Sequence, residues 1–149
     1  MSNEVSRRDF LVSGVAFAAA AMSADASAQQ KRPGRLSTHV LDIYHGTPAA
    51  NVRIDFLAQD GDVFRFVKTV RTNGDGRTDE PILPVEGMAV GRYQLVFYVA
   101  DYFRATDMQL PDPPFIDRAT IDFAIFDAKQ HYHVPLLCSP WSYTTYRGS

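Results

Sequence analysis

The chain has 149 residues, a formal net charge of −2, 46% apolar and 21% charged residues, and one cysteine, Cys138. An apolar fraction this high excludes a disordered chain, and one cysteine excludes an intrachain disulfide scaffold and leaves Cys138 to pair between chains or stay a buried thiol. A charge so near zero gives no footprint for nucleic acid or for an anionic membrane surface, so neither partner is expected.

The N-terminus begins with Ser6-Arg7-Arg8-Asp9-Phe10-Leu11, an alanine-rich apolar run over 11–24, and Ala26-Ser27-Ala28. Paired arginines, a short apolar region and an A-x-A site together predict a twin-arginine signal over 1–28, read by the twin-arginine translocation machinery. Export to the periplasm is the expectation, with cleavage after Ala28 and a short linker over 29–35. An apolar run of roughly 14 residues falls short of the ~20 that a membrane-spanning helix needs.

The remainder, 36–149, reads as one domain of strands. Val52, Ile54 and Phe56 alternate with Arg53 and Asp55. Tyr93, Leu95, Phe97 and Val99 form a second such run, Ile121, Phe123 and Ile125 a third, and Tyr132, Val134, Leu136 and Cys138 a fourth. Period-two alternation gives each run one apolar face. Turn signals separate the runs at His45-Gly46-Thr47-Pro48, Gln59-Asp60-Gly61-Asp62, Asn73-Gly74-Asp75-Gly76, Glu86-Gly87 and Pro111-Asp112-Pro113-Pro114. Their spacing predicts an all-β, two-sheet antiparallel sandwich of about seven or eight strands. One short helix is expected over 101–108, with Asp101 as its N-cap. Apolar residues on both faces of some strands, such as Val96 and Tyr98 opposite Leu95 and Phe97, point to self-association.

Chemistry concentrates in a few polar residues. His39 lies in the first strand-like run, Leu36-Ser37-Thr38-His39-Val40-Leu41-Asp42, and Arg77 follows the Asn73–Gly76 turn. His131 and His133 are two residues apart in a strand and share a face. The sequence ends at Tyr146-Arg147-Gly148-Ser149. Any one of these residues alone is an ordinary structural group. His131 and His133 with His39 could in principle hold zinc, but no Cys-x-x-Cys, His-Glu-x-x-His, Gly-rich phosphate loop or Gly-x-Ser-x-Gly elbow is present.

At these same residues the sequence resembles the 5-hydroxyisourate hydrolases, the enzymatic branch of the transthyretin family. The resemblance runs from Leu36 to the last residue and is carried by three motifs besides the opening one: Thr72-Asn73-Gly74-Asp75-Gly76-Arg77, His131-Tyr132-His133-Val134-Pro135-Leu136-Leu137, and the closing Tyr146-Arg147-Gly148-Ser149. It departs at Cys138, Trp141 and Ser142. What it implies is a homotetramer of transthyretin-like sandwiches with active sites in a channel between dimers. The implied reaction converts 5-hydroxyisourate, a step of urate degradation, to 2-oxo-4-hydroxy-4-carboxy-5-ureidoimidazoline without a cofactor or a required metal. The catalytic group maps onto His39, Arg77, His133 and Ser149, with Tyr146, Arg147, Gly148 and His131 around the substrate. A histidine is the natural base; the assignment takes His133 with His39 as its partner, and the sequence leaves the order of these roles open. A periplasmic transthyretin-like carrier of small molecules and a zinc-binding sandwich are the alternatives.

Overall fold

The computed structural model describes residues 33–148, so the expected signal over 1–28, most of the linker and Ser149 lie outside the described residues. Two four-stranded sheets and a two-stranded ribbon enclose a single apolar cluster.

One sheet follows directly from the alternating runs. β4 (Arg53–Asp60) turns through Gly61, whose φ of +61° is the left-handed conformation that glycine adopts without strain, into β5 (Val63–Arg71). β6 (Gly91–Phe97) pairs with β4, and β7 (Ala119–Ile125) pairs with β6, giving the antiparallel order β5-β4-β6-β7. Ile54, Phe56, Leu95, Phe97, Ile121 and Ile125 are buried on one face. Each such side chain contributes about 1.5–3 kcal/mol by leaving water.

The second layer departs from the expected all-antiparallel arrangement. β1 (Arg35–Ser37) runs parallel to β8 (His131–His133), and β2 (Val40–Asp42) runs parallel to β9 (Leu136–Cys138). β3 (Thr47–Pro48) and β10 (Tyr143–Thr145) complete it at the two edges in antiparallel pairing. The run over 131–138, expected as one strand, is divided at Pro135, which has no amide hydrogen to give to a ladder. Two bonds carry the ladder across the break: Val134 N–H donates to Ser37 at 2.9 Å and Leu136 N–H to His39 at 2.9 Å. Leu36, Val40, Tyr132, Leu136 and Cys138 face the same core as the other sheet. Burial pushes the Cys138 thiol up to about 12, which makes it a packing group.

The helix starts earlier than its sequence suggests. α1 spans Val99–Ala105, with Tyr98 at the N-cap and no side-chain cap, so Asp101 is not the cap but an exposed residue of the first turn. Burial of Val99, Ala100 and Phe103 against the core sets the start, an example of packing overriding local capping preference. The helix stops before Asp107, whose φ of +62° breaks the helical path. Asp42, fully buried at its side chain, ties this helix to the β2–β3 turn. Its carboxylate accepts from Tyr44 N–H and His45 N–H at 2.9 Å each, from His45 Nδ1 at 2.6 Å and from the Tyr102 hydroxyl at 2.9 Å. Burial opposes ionisation, but the His45 amide and ring and the Tyr102 hydroxyl outweigh it and hold the carboxyl below the usual carboxylate range. Among the described residues no helix is long and apolar enough to cross a membrane.

Candidate active site

The candidate residues sit where β1–β2 and β8 meet the Asn73–Arg77 turn. Parallel pairing sets Arg35 beside His131 and Ser37 beside His133. An antiparallel bridge sets His39 against Arg77, and another sets His133 against Gly148. Four segments remote in sequence are thereby drawn to one edge of the sheet.

The turn before Arg77 is held by its own residues. Asn73 Oδ1 accepts from Asp75 N–H at 3.0 Å and Arg77 N–H at 3.2 Å, while Asn73 N–H donates to Arg77 at 2.6 Å. Gly76 has φ +72°, and a Cβ there would lie 2.4 Å from the Val40 carbonyl oxygen, so only glycine fits. Gly76 in turn accepts from Val40 N–H at 2.8 Å. The result presents the Asp75 carbonyl to His39 and sets Arg77 where its charge acts on both imidazoles.

His39 Nε2 lies 2.9 Å from the Asp75 carbonyl oxygen. A carbonyl only accepts, so the His39 proton is on Nε2 and Nδ1 is bare. Burial and then Arg77 lower the pKa of His39, against an opposing contribution from the Asp75 carbonyl bond. His133 is half-buried and falls further, to about 4, through burial first and then the charges of Arg77, His131, His39 and Arg35. Both rings are therefore neutral near pH 7. The His131 and His133 rings stand 6.5 Å apart and 11° from parallel, as alternate residues of one strand should. Between them lies Ser37, its Oγ 2.9 Å from His133 Nδ1 and 3.3 Å from His131 Nε2.

The closing tetrapeptide divides. Gly148 exchanges backbone hydrogen bonds with His133, and a Cβ on it would come within 2.9 Å of His133 Cδ2, so glycine is what allows this approach. Arg147 turns instead to Gln130 Oε1 at 2.8 Å and lies over the rings of Tyr132 and Phe126 at 4.9 and 5.3 Å. Tyr146 is exposed, and Ser149 is outside the described residues. His39, Arg77, His131, His133 and Gly148 thus come together; the side chain of Arg147 does not join them. Sequence reasoning missed Ser37 and Arg35. Period two puts Arg35 and Ser37 on one face, but their place opposite His131 and His133 comes from parallel pairing with a strand remote in sequence.

A hollow of about 180 Å³ lies beside the group, lined by Arg35, Ser37, Thr38, Arg77 and the segment 78–81. A larger cleft of about 570 Å³, lined by Arg53, Arg71, Asp101 and Tyr102 among others, contains none of the candidate residues. Among the described residues no three His, Cys, Asp or Glu side chains form a group able to hold a metal ion, so His39, His131 and His133 do not make the zinc arrangement weighed from the sequence. Two neutral imidazoles, a permanent cation and a hydroxyl suit the attack of water on a carbonyl with negative charge developing on oxygen.

Comparison with known proteins extends these observations. A family model described as the HIUase/Transthyretin family matches residues 36–148. The chain is 50% identical over 118 residues to 5-hydroxyisourate hydrolase 2 of Rhizobium meliloti (strain 1021), covering 79% of this chain and 98% of the relative. It is 52% identical over 116 residues to 5-hydroxyisourate hydrolase of Ralstonia nicotianae, covering 78% and 99%. The solved structure of Klebsiella pneumoniae 5-hydroxyisourate hydrolase superposes with a TM-score of 0.64 at 32% identity, over 78% of this chain and 99% of that one. A match that begins at Leu36 in the first strand and ends at Gly148 beside His133, with half the residues shared over nearly the whole length of these relatives, means that the chain belongs to the HIUase/Transthyretin family.

Proposed function

We propose that this protein hydrolyses 5-hydroxyisourate to 2-oxo-4-hydroxy-4-carboxy-5-ureidoimidazoline, using only its own side chains. The observation that carries the reading is the convergence of His39 and His133, both held neutral, with Arg77. Similarity to relatives named for this activity supports it.

The reaction adds water to the C6 carbonyl and breaks the N1–C6 bond. His39 offers a bare Nδ1, so it takes the proton of the attacking water. The oxygen of C6 gains negative charge as the water adds. Arg77 meets that charge with a planar fork of donors on a turn already fixed by Asn73 and Gly76. Collapse of the adduct expels N1, which takes the proton that the His39 imidazolium acquired from the water, and the carbonyl carbon leaves as a carboxylate. Ser149, by the family resemblance, binds substrate or water at the same place.

The hollow of about 180 Å³ is smaller than the roughly 300 Å³ at the low end of small-molecule sites. A second copy supplying the missing wall accounts for this, and a homotetramer is the assembly proposed. Exposed apolar residues on the edge strand β5, Phe66 and Val67, and on the β2–β3 turn, Ile43 and Tyr44, give it surface to bury. The leader is proposed to direct the protein to the periplasm. Changing Arg7 and Arg8 to lysine is expected to leave the full-length chain in the cytoplasm, read by fractionation and intact mass.

The deciding assay generates 5-hydroxyisourate from urate with an oxidase and follows its ultraviolet decay. Acceleration by the protein is expected; stoichiometric binding with no faster decay overturns the reading in favour of a carrier. The pH profile is a second check. With both imidazoles lowered, the acid limb of kcat/KM is expected to be centred below pH 6.5, steepening toward about 4 as His133 takes a proton. An acid limb centred at or above 6.5 means that at least one of the two rings is not held neutral.

A further inference from the structure

The hydrogen bonds around His131 have a direction fixed by which atoms can donate. Arg35 Nε lies 3.2 Å from His131 Nδ1, and a guanidinium has no acceptor, so His131 Nδ1 accepts. A neutral imidazole that accepts at Nδ1 carries its proton on Nε2. That nitrogen is 3.3 Å from Ser37 Oγ and donates to it. The single proton of the Ser37 hydroxyl then has one place to go, His133 Nδ1 at 2.9 Å. His133 accepts at Nδ1 and keeps its own proton on Nε2.

We propose that Arg35, His131 and Ser37 form a polarised chain of positioning residues that fixes the tautomer of His133, holding it as an Nε2–H donor toward the reacting groups. The proposal deepens the hydrolase reading and rests on it for its kinetic consequences. The three act on His133 through one another, and Arg35 and Ser37 also line the hollow beside it. Arg35 lies at the exposed end and sets the direction, because it is the one member that cannot reverse its bond. His131 passes the direction inward, and Ser37 delivers it at the register position opposite His133. The two neutral rings then differ in kind. His39, fixed by the Asp75 carbonyl, offers a bare nitrogen, whereas His133, fixed by Ser37, offers a hydrogen. A base and a donor are what water attack on a carbonyl requires, and two rings of free tautomer would adopt that combination only part of the time.

Among the described residues, the charges acting on His133 are those of Arg77, His131, His39 and Arg35, with no carboxylate. The chain therefore selects the tautomer by hydrogen-bond direction without adding a negative charge that would raise the ring toward protonation.

The test uses the full protein labelled with nitrogen-15 at histidine, without substrate, because ring nitrogen shifts separate a bare nitrogen from a protonated one. In the wild type, His133 is expected to show a bare Nδ1 and a protonated Nε2. Ser37→Ala, and Arg35→Met at the exposed end where folding is not at risk, are expected to give mixed tautomers at His133. Both should lower kcat about 10-fold, in step with the loss of the single tautomer. Ser37→Thr, which keeps the hydroxyl, should restore both readouts. A proton on Nδ1 of His133 in the wild type overturns the proposal, as does a fall in kcat with the tautomer unchanged. A wild type that fails to hasten the decay of 5-hydroxyisourate overturns the hydrolase reading instead, and the ring spectrum still decides the chain on its own.

Discussion

Arg77→Lys is expected to lower kcat for 5-hydroxyisourate about 10²-fold or more, the size of losing one preorganised group that meets charge in the transition state. Lysine keeps the positive charge but replaces a planar fork with a hydrated point charge on a flexible stem, so it cannot hold two oxygens in one plane. The backbone of the turn should not change, because Asn73 and Gly76 hold it through bonds that do not use the side chain of residue 77. Thermal unfolding is expected to match the wild type, which separates chemistry from folding. Arg77→Met adds a second readout. The charge of Arg77 helps to hold His133 at about 4, and its removal favours the protonated ring, so the acid limb should move to higher pH in the methionine variant and stay low in the lysine one. Turnover of Arg77→Lys within about 3-fold of wild type would remove the guanidinium from the mechanism.

How much of this was legible in the sequence depends on the range of the interaction. Alternation is local, so the buried faces of β4, β6 and β7 could be read directly from Ile54, Leu95 and Ile121 with their neighbours. The start of α1 could not, since Asp101 is a good local cap and the decision is made by Phe103 packing on strands far away in sequence. Parallel pairing of β1 with β8 was hidden for the same reason: nothing in Arg35-Leu36-Ser37 states that His131-Tyr132-His133 lies beside it. In the site, residue chemistry marked His39, Arg77, His131 and His133. Ser37 carries no such mark, and Asp75 contributes a carbonyl that any residue has, so its placement at His39 exists only once the turn has closed. Arg147 shows the converse. Its motif drew attention, but its guanidinium serves the Tyr132 and Phe126 rings.

Tyr132→Ala is expected to destabilise the domain by about 3–5 kcal/mol, the range for removing a large buried aromatic group, out of the roughly 5–15 kcal/mol that holds a domain together. Tyr132 is 2% exposed and has the largest of the fully buried side chains among the described residues. Its hydroxyl accepts from the N–H groups of Phe126 and Asp127 at 3.1 and 3.0 Å, closing the loop after β7, and its ring meets Phe126 edge-on at 5.6 Å. Tyr132→Phe separates these contributions. It keeps the ring but leaves two amides without their acceptor, so a smaller loss of about 1–3 kcal/mol is expected. Denaturant midpoints at constant slope measure both. Because Tyr132 stands between His131 and His133 and faces the core while they face the site, the phenylalanine variant should keep both imidazoles in place and retain most of its kcat. The strand thus uses one face to anchor itself and the other to present its histidines, and a loss for Tyr132→Ala below about 1 kcal/mol would show that the anchor lies elsewhere.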